Sequence, residues 1–283
     1  MNILFQILSK IRKRISGKTK IKVSKCSKYI NKGCHNINTS LISVAGSSLL
    51  TIGEHTTLNH VHFEIQNHCD VEIGENVVIS NVSICVSNAS KVTIGQSSFI
   101  DNVIISITSG ELNIGGNNIL SKGEKNDIPN IVVTNGTVQI ADHNVVKSTI
   151  WIRFGGHLKM GRYNCVNEGS EIRSDESVSI GSYNMISYNC DIWDTNTHFM
   201  YDYATKTRKF EKDFPIIGLE TNKPNTKPVI IGDGNWIGKY ACILKGSIIK
   251  NDAVIGTRTV VSNQIVDDSD IVVSGKNCII HKS

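Results

Sequence analysis

Between Ile180-Gly181 and Ile231-Gly232 the chain carries its densest set of side chains able to do chemistry. His198 lies in Asp194-Thr195-Asn196-Thr197-His198-Phe199-Met200-Tyr201-Asp202. Phe199, Tyr201, Tyr203, Phe210 and Phe214 are then interleaved with Lys206, Arg208, Lys209 and Lys212. A neutral imidazole can accept a proton near neutral pH. Aromatic rings offer stacking faces for sugars, and Lys or Arg can meet carboxylates. A titratable imidazole, aromatic faces and positive charge in one segment argue for a functional insertion. Asp194 is a candidate to fix the tautomer of such a base; alternatively it only shapes the turn. On its residue type alone, a structural or idle loop position is the safer reading of His198.

These residues need a frame, and the rest of the chain supplies one. Ile231, Ile237, Ile243, Ile249, Ile255 and Val261 recur at every sixth position, with glycine after three of them. Neither a helical period nor simple alternation yields this beat. A triangular coil of short parallel strands does, with one inward aliphatic per side and a small residue or an unusual backbone angle at the corner. Upstream, Gly53, Gly74, Gly95 and Gly115 follow isoleucines at separations of 21, 21 and 20 residues. Ala141, Gly161 and Gly181 continue the series, and the polar run Ser121 to Asp127 absorbs a longer interval as a surface loop. From Gly181 to Gly232 is 51 residues, far more than one coil of about eighteen. An interruption of that length in a regular array is usually functional or disordered. The sequence predicts an all-β solenoid of roughly eleven coils with one long excursion loop. Its expected parts are a basic segment over 1–32, N-terminal coils over 33–181 with a loop near 121–130, and C-terminal coils over 182–283 with the excursion at 193–228.

Composition narrows the remaining classes. The 283 residues are 40% hydrophobic but only 6% aromatic, as narrow coils require. The net charge of +5 conceals an asymmetry: residues 1–53 hold ten Lys or Arg and no acid, leaving 20 basic against 25 acidic residues, or −5, in the remainder. Leu4, Leu8, Ile11 and Ile15 fall at helical spacing beside Arg12 to Arg14, which predicts a short basic amphipathic helix. It either caps the solenoid or forms an oligomer contact, or lies on an anionic membrane surface. Nucleic acid is disfavoured because no aromatic platform accompanies this charge. No secretory signal and no bilayer-spanning stretch is expected, so the location predicted is cytoplasmic, with contact to the inner membrane face an option. The eight scattered cysteines lack metal-like spacing and read as small residues in a reducing compartment. His60-x-His62 offers two rings to one strand face, but no carboxylate or cysteine completes a site, so no metal is expected.

Asn184-Met185-Ile186-Ser187, the segment Asp194 to Asp202, and Lys227-Pro228-Val229-Ile230-Ile231-Gly232-Asp233-Gly234-Asn235-Trp236-Ile237-Gly238 together resemble the hexapeptide-repeat O-acetyltransferases. The likeness covers roughly residues 160 to 275 and is strongest to the branch acting on sugars and on capsular or lipopolysaccharide glycans, including polysialic acid. The resemblance implies a left-handed parallel β-helix, usually a homotrimer, with acetyl-CoA along a groove between adjacent helices. It implies His198 as general base, direct attack of a hydroxyl on the thioester, and an oxyanion donor near Gly238 or Lys239. Trp236 would line the acetyl-CoA or acceptor pocket. Gly238, Lys239, Gly256, Thr257 and Ser262 would lie along the CoA path, while Tyr201, Arg208 and Lys209 would meet the glycan acceptor. The chain departs from the pattern after Ser274, where relatives carry Gly-x-Pro-Ala or Gly-x-Pro-Cys and this sequence has Gly275-Lys276-Asn277-Cys278, leaving Lys276 for the phosphates. An N-acetyltransferase on an amino-sugar nucleotide and a non-catalytic glycan-binding solenoid are the alternative readings.

Overall fold

The computed structural model describes residues 18–123, 128–215, 218, 220–274 and, for backbone only, 278–280. Three long parallel sheets form the three walls of one solenoid. Their first strands are Lys20–Val23, Lys28–Asn31 and Asn36–Asn38, and each later coil adds one strand to each wall. The first and second sheets have eleven strands; the third has eleven parallel strands plus Cys278–Ile280, which pairs antiparallel with Ile271–Val273. The expected all-β parallel solenoid is therefore the observed architecture. The expected amphipathic helix lies outside the described residues, as do part of the loop at 124–127 and Lys276. Among the described residues no helix is long and apolar enough to cross a membrane.

Alternation along each strand sends one set of side chains inward, and in-register pairing stacks them into columns. Leu50, Val71, Val92, Leu112, Val138, Leu158, Val178 and Val229 form one such column on the second sheet, all buried. The third sheet contributes Leu58, Ile79, Ile100, Leu120, Val146, Val166, Ile186, Ile237 and Ile255. N-terminal strands run to five residues where C-terminal ones have two or three, which explains the change from coils of 21 residues to the strict six-residue beat.

The glycines of the beat are small because successive coils touch there. A Cβ on Gly53 would come within 2.5 Å of the Gly74 carbonyl carbon. Left-handed backbone falls later in each corner, at Asn76, Ser97, Asn117, His143, Tyr163 and Tyr183, whose φ values lie between 55° and 62°.

One corner carries a ladder of buried asparagines. The Oδ1 atoms of Asn118, Asn144, Asn164 and Asn184 each accept the backbone N–H of the next rung's asparagine at 2.7–2.9 Å, and Asn235 Oδ1 accepts from Ala253 N–H. The side-chain amides of Asn118, Asn144, Asn164 and Asn184 donate to backbone carbonyls. Each rung thereby satisfies backbone groups that the turn removes from the strand ladder.

Candidate active site

The excursion leaves the first sheet after Asp191–Trp193 and rejoins the second at Val229–Ile231. It is therefore rooted on the edge between those two walls. A loop was expected; the segment instead contains a helix, α1, Tyr203–Asp213. Asp202 caps it, accepting from the Thr205 N–H at 2.9 Å and the Thr205 hydroxyl at 2.7 Å. The aspartate just before a run of lysine- and arginine-rich helix formers was the available signal. No residue of α1 is buried, and Lys206, Arg208 and Lys212 are exposed along it.

The arm is stitched at its root. The Asp194 and Lys227 backbones are joined at 2.9 Å, Asn196 N–H donates to Asn225 O at 3.0 Å, and Thr195 bridges Thr226. Asp194 is fully buried and its carboxylate receives Asp175 N–H, Glu176 N–H, Ser177 N–H and the Ser174 hydroxyl at 2.6–2.9 Å. Burial pushes this carboxyl above its ordinary value, against the pull of those hydrogen bonds. Asp194 thus staples the arm to the preceding coil, the partners of its carboxylate lying at Ser174–Ser177. No hydrogen bond joins this carboxylate to His198 among the described residues. Next to it, Arg153 forks onto Asp175 at 3.0 and 2.8 Å and reaches the Thr197 carbonyl at 3.3 Å, while the Thr195 hydroxyl donates to Asp175 at 2.7 Å. Arg153 holds the residue immediately before His198 and carries no sequence motif.

The carboxylate beside the imidazole is Glu220. His198 Nδ1 lies 4.0 Å from Glu220 Oε2, with the imidazole 60% exposed and the glutamate side chain 3%. That separation exceeds a hydrogen bond. Glu220 also accepts from Phe199 N–H at 3.0 Å, the Tyr201 hydroxyl at 2.8 Å, and Thr221 and Asn222 N–H groups at 3.2 and 3.4 Å. Burial opposes its charge, but these hydrogen bonds together hold its carboxyl below the ordinary value. The Tyr201 hydroxyl, bonded to Glu220 and to Asn222, is built into this network, and its ring packs on Phe199 at 5.0 Å. Lys209 is paired with Asp213 at 2.8 Å. Arg208 is exposed and makes one long hydrogen bond, to Thr205. Of the three side chains expected to meet an acceptor, Arg208 is the most available.

Trp236 stands on the outer face of the third sheet, 53% exposed, in register with Met185 and Val254. Gly238 and Lys239 follow at the edge between the third and first sheets, with Gly256 and Thr257 one coil on. Gly238 N–H donates to Ile255 O at 2.7 Å, so it is committed to the ladder; Lys239 N–H has no partner among the described residues. A Cβ on Gly238 would meet Thr257 N at 2.7 Å, so this glycine is required by close coil packing. Tyr240 carries Lys239 Nζ at 5.1 Å and Arg258 Cζ at 5.5 Å from its ring centre. This places Arg258, not singled out in the sequence, beside Lys239 as a second cation. Ser262 is exposed at the opposite end of the first-sheet strand Val260–Ser262, next to Asn263, which accepts from Lys227 Nζ of the arm. Among the described residues no hydrogen bond or ring contact joins the arm to Trp236, Gly238 or Gly256 within one chain.

One expectation elsewhere is also corrected. His60 sits at a left-handed corner outside the strand, but Glu64 and Cys85 join His62, so a carboxylate and a cysteine do accompany that histidine.

No family model matches the chain. It is 31% identical over 133 residues to a probable acetyltransferase of Mycobacterium tuberculosis, covering 47% of this chain and 38% of that protein. It is 30% identical over 106 residues to a putative lipopolysaccharide biosynthesis O-acetyl transferase, WbbJ, of Escherichia coli, covering 38% and 51% respectively. The chain thus spans about half or less of the curated relatives it matches. Among solved structures it is similar to the polySia-specific acetyltransferase NeuO, with TM-score 0.36, 15% identity and coverage of 91% and 87%. It is also similar to the polysialic acid O-acetyltransferase OatWY, with TM-score 0.37, 19% identity and coverage of 89% and 88%. A hexapeptide-repeat acetyltransferase of Vibrio cholerae, complexed with acetyl coenzyme A, gives TM-score 0.38 and 21% identity over 49% of this chain and 68% of that one.

Proposed function

We propose that this homologue of acetyltransferases, hexapeptide-repeat in construction, is an acetyl-CoA-dependent O-acetyltransferase acting on a cell-surface glycan or its precursor. The observation that carries the reading is the buried Glu220 carboxylate beside the exposed His198 imidazole, on an arm stapled to a rigid edge. A sugar hydroxyl is protonated at neutral pH, and neutral His198 would take its proton as the oxygen attacks the thioester carbonyl. Glu220 faces Nδ1 from 4.0 Å, and closing to hydrogen-bond range would favour the tautomer with the proton there and leave Nε2 as base. The thioester carbonyl becomes an oxyanion, for which Lys239 N–H is a free backbone donor. Collapse expels CoA as thiolate and yields the acetyl ester. Lys239 and Arg258 offer positive charge for CoA phosphates. Arg208 and the exposed lysines of α1 suit an acceptor with carboxylates.

His198 and Trp236 belong to different walls: the arm roots on the edge opposite the third sheet. A second copy, in the homotrimer we propose, would bring one chain's arm to its neighbour's third-sheet face. The exposed apolar pair Met185 and Trp236 favours covering of that face.

The test is release of CoA and formation of alkali-labile acetyl groups on candidate glycans. His198→Ala should lower kcat by about 10²–10⁴-fold with the fold intact. Full activity in that variant overturns the base assignment, and an alkali-stable product would indicate an amide.

A further inference from the structure

The N-terminal coils carry a cluster that the acetyl-transfer reading does not use. His62 and Glu64 are two residues apart on the strand His62–Gln66, on the outer face of the first sheet. Cys85, on Ser83–Ser87 of the next coil, pairs in register with Glu64, while Ser83 pairs with His62. One nitrogen, one oxygen and one sulfur donor thus come within 4.8 Å of one another. The arrangement follows from the 21-residue coil, which places Cys85 directly beside Glu64. Although it points out of the coil, His62 is only 7% exposed, and its Nδ1 lies 3.3 Å from the Ser83 hydroxyl, which is itself 3.7 Å from Cys85 Sγ.

We propose that His62, Glu64 and Cys85 bind one divalent cation of the zinc class, clipping two successive coils together. Imidazole nitrogen, thiolate sulfur and carboxylate oxygen are the donors zinc accepts, at about 2.0–2.3 Å. Tetrahedral bonds of that length place donor atoms roughly 3.3–3.8 Å apart, so the cluster closes by a small rotation of the exposed, long Glu64 side chain. Three protein ligands leave a fourth position for water, beside the Ser83 hydroxyl. Magnesium and calcium, which prefer six or more oxygens, do not fit a site that is one-third sulfur. The strand bearing Cys85 is fourth in the first sheet and the strand preceding the arm is ninth, so five rungs of about 4.8 Å, or roughly 24 Å, separate the cluster from the arm root. The cation is therefore assigned to the stability of the N-terminal coils, through preferential binding to the folded state.

The experiment uses full-length protein stripped with a chelator and titrated with Co2+ and, separately, Zn2+. One Co2+ should bind per chain with a thiolate-to-metal charge-transfer band in the near ultraviolet, and Zn2+ should displace it and raise the melting temperature. Cys85→Ser should abolish the band and weaken binding by roughly a hundredfold, His62→Ala should weaken it similarly, and Cys165→Ser should change neither. Glu64→Gln, at an exposed position, provides a third variant if either of the other substitutions impairs folding, and should also weaken binding. Absence of the band in wild-type protein, persistence of the band in Cys85→Ser, or an equal melting shift with Mg2+ would each overturn the proposal. Because the readouts are spectroscopic and thermal, failure here leaves the acetyl-transfer assignment untouched, and loss of that assignment leaves this one standing.

Discussion

Glu220 ties the chemistry of the arm to its stability. Its lowered pKa means that the ionised form holds Phe199 and Tyr201 in place, so its contribution is present above the ordinary carboxylate range and lost as pH falls through the lowered value. Glu220→Gln puts an amide donor where a donor already points and removes the charge facing His198. We expect kcat to fall roughly ten- to a hundredfold, as when a histidine loses its orienting carboxylate, with KM for acetyl-CoA unchanged. Limited proteolysis of the arm should accelerate on acidification in wild-type protein and be fast and nearly pH-independent in the variant. A variant with wild-type kcat and wild-type proteolysis would show that Glu220 neither orients the base nor holds the arm. Glu220 was not legible beforehand: it lies 22 residues from His198 and reaches it only because the chain folds back through α1.

At the scale of elements, two devices hold the frame under the arm, and they differ in how visible they were. The asparagines of the corner ladder each stand three residues after a beat position, as in Gly115 and Asn118, Ala141 and Asn144, Gly161 and Asn164, Gly181 and Asn184, and Gly232 and Asn235. That spacing was in the sequence, but only a known coil period says the side chains turn inward. Asn184→Ala strands Asn235 N–H and Gly232 O, and should cost about 1–3 kcal/mol for each buried group left unpaired, measured by denaturant unfolding. Asp194 is the other device. Its position next to His198 suggested a role in catalysis, whereas its partners, 17 to 20 residues earlier, emerge only once coils stack. Asp194→Ala leaves the backbone N–H groups of Asp175, Glu176 and Ser177 unpaired, so we expect a loss of at least about 2 kcal/mol and rapid cleavage of the arm. Unchanged melting and proteolysis with a selective fall in kcat would restore the catalytic reading. The six-residue beat, by contrast, was legible in full, because an inward aliphatic is required at each short side whatever lies outside.

The whole molecule is a three-sided prism, and that shape constrains where a complete site can form. The arm is rooted on the edge between the first and second sheets whereas Trp236 lies on the third, and among the described residues no hydrogen bond or ring contact joins His198 to Trp236 within one chain. A closed ring of copies around a symmetry axis brings an edge of each chain to a wall of the next. Sites shared in this way can be rebuilt from two defective parents. If His198→Ala and Trp236→Ala proteins are each inactive, dissociating them together and reassembling an equal mixture should give about a quarter of sites with an intact histidine from one chain and an intact tryptophan from its neighbour. Recovery of acetyl transfer near that fraction, with none when the parents are mixed without dissociation, is the expected result. If reassembled mixtures of confirmed oligomers stay inactive, both residues act within one chain, and the arm must then cross its own edge to meet the third sheet.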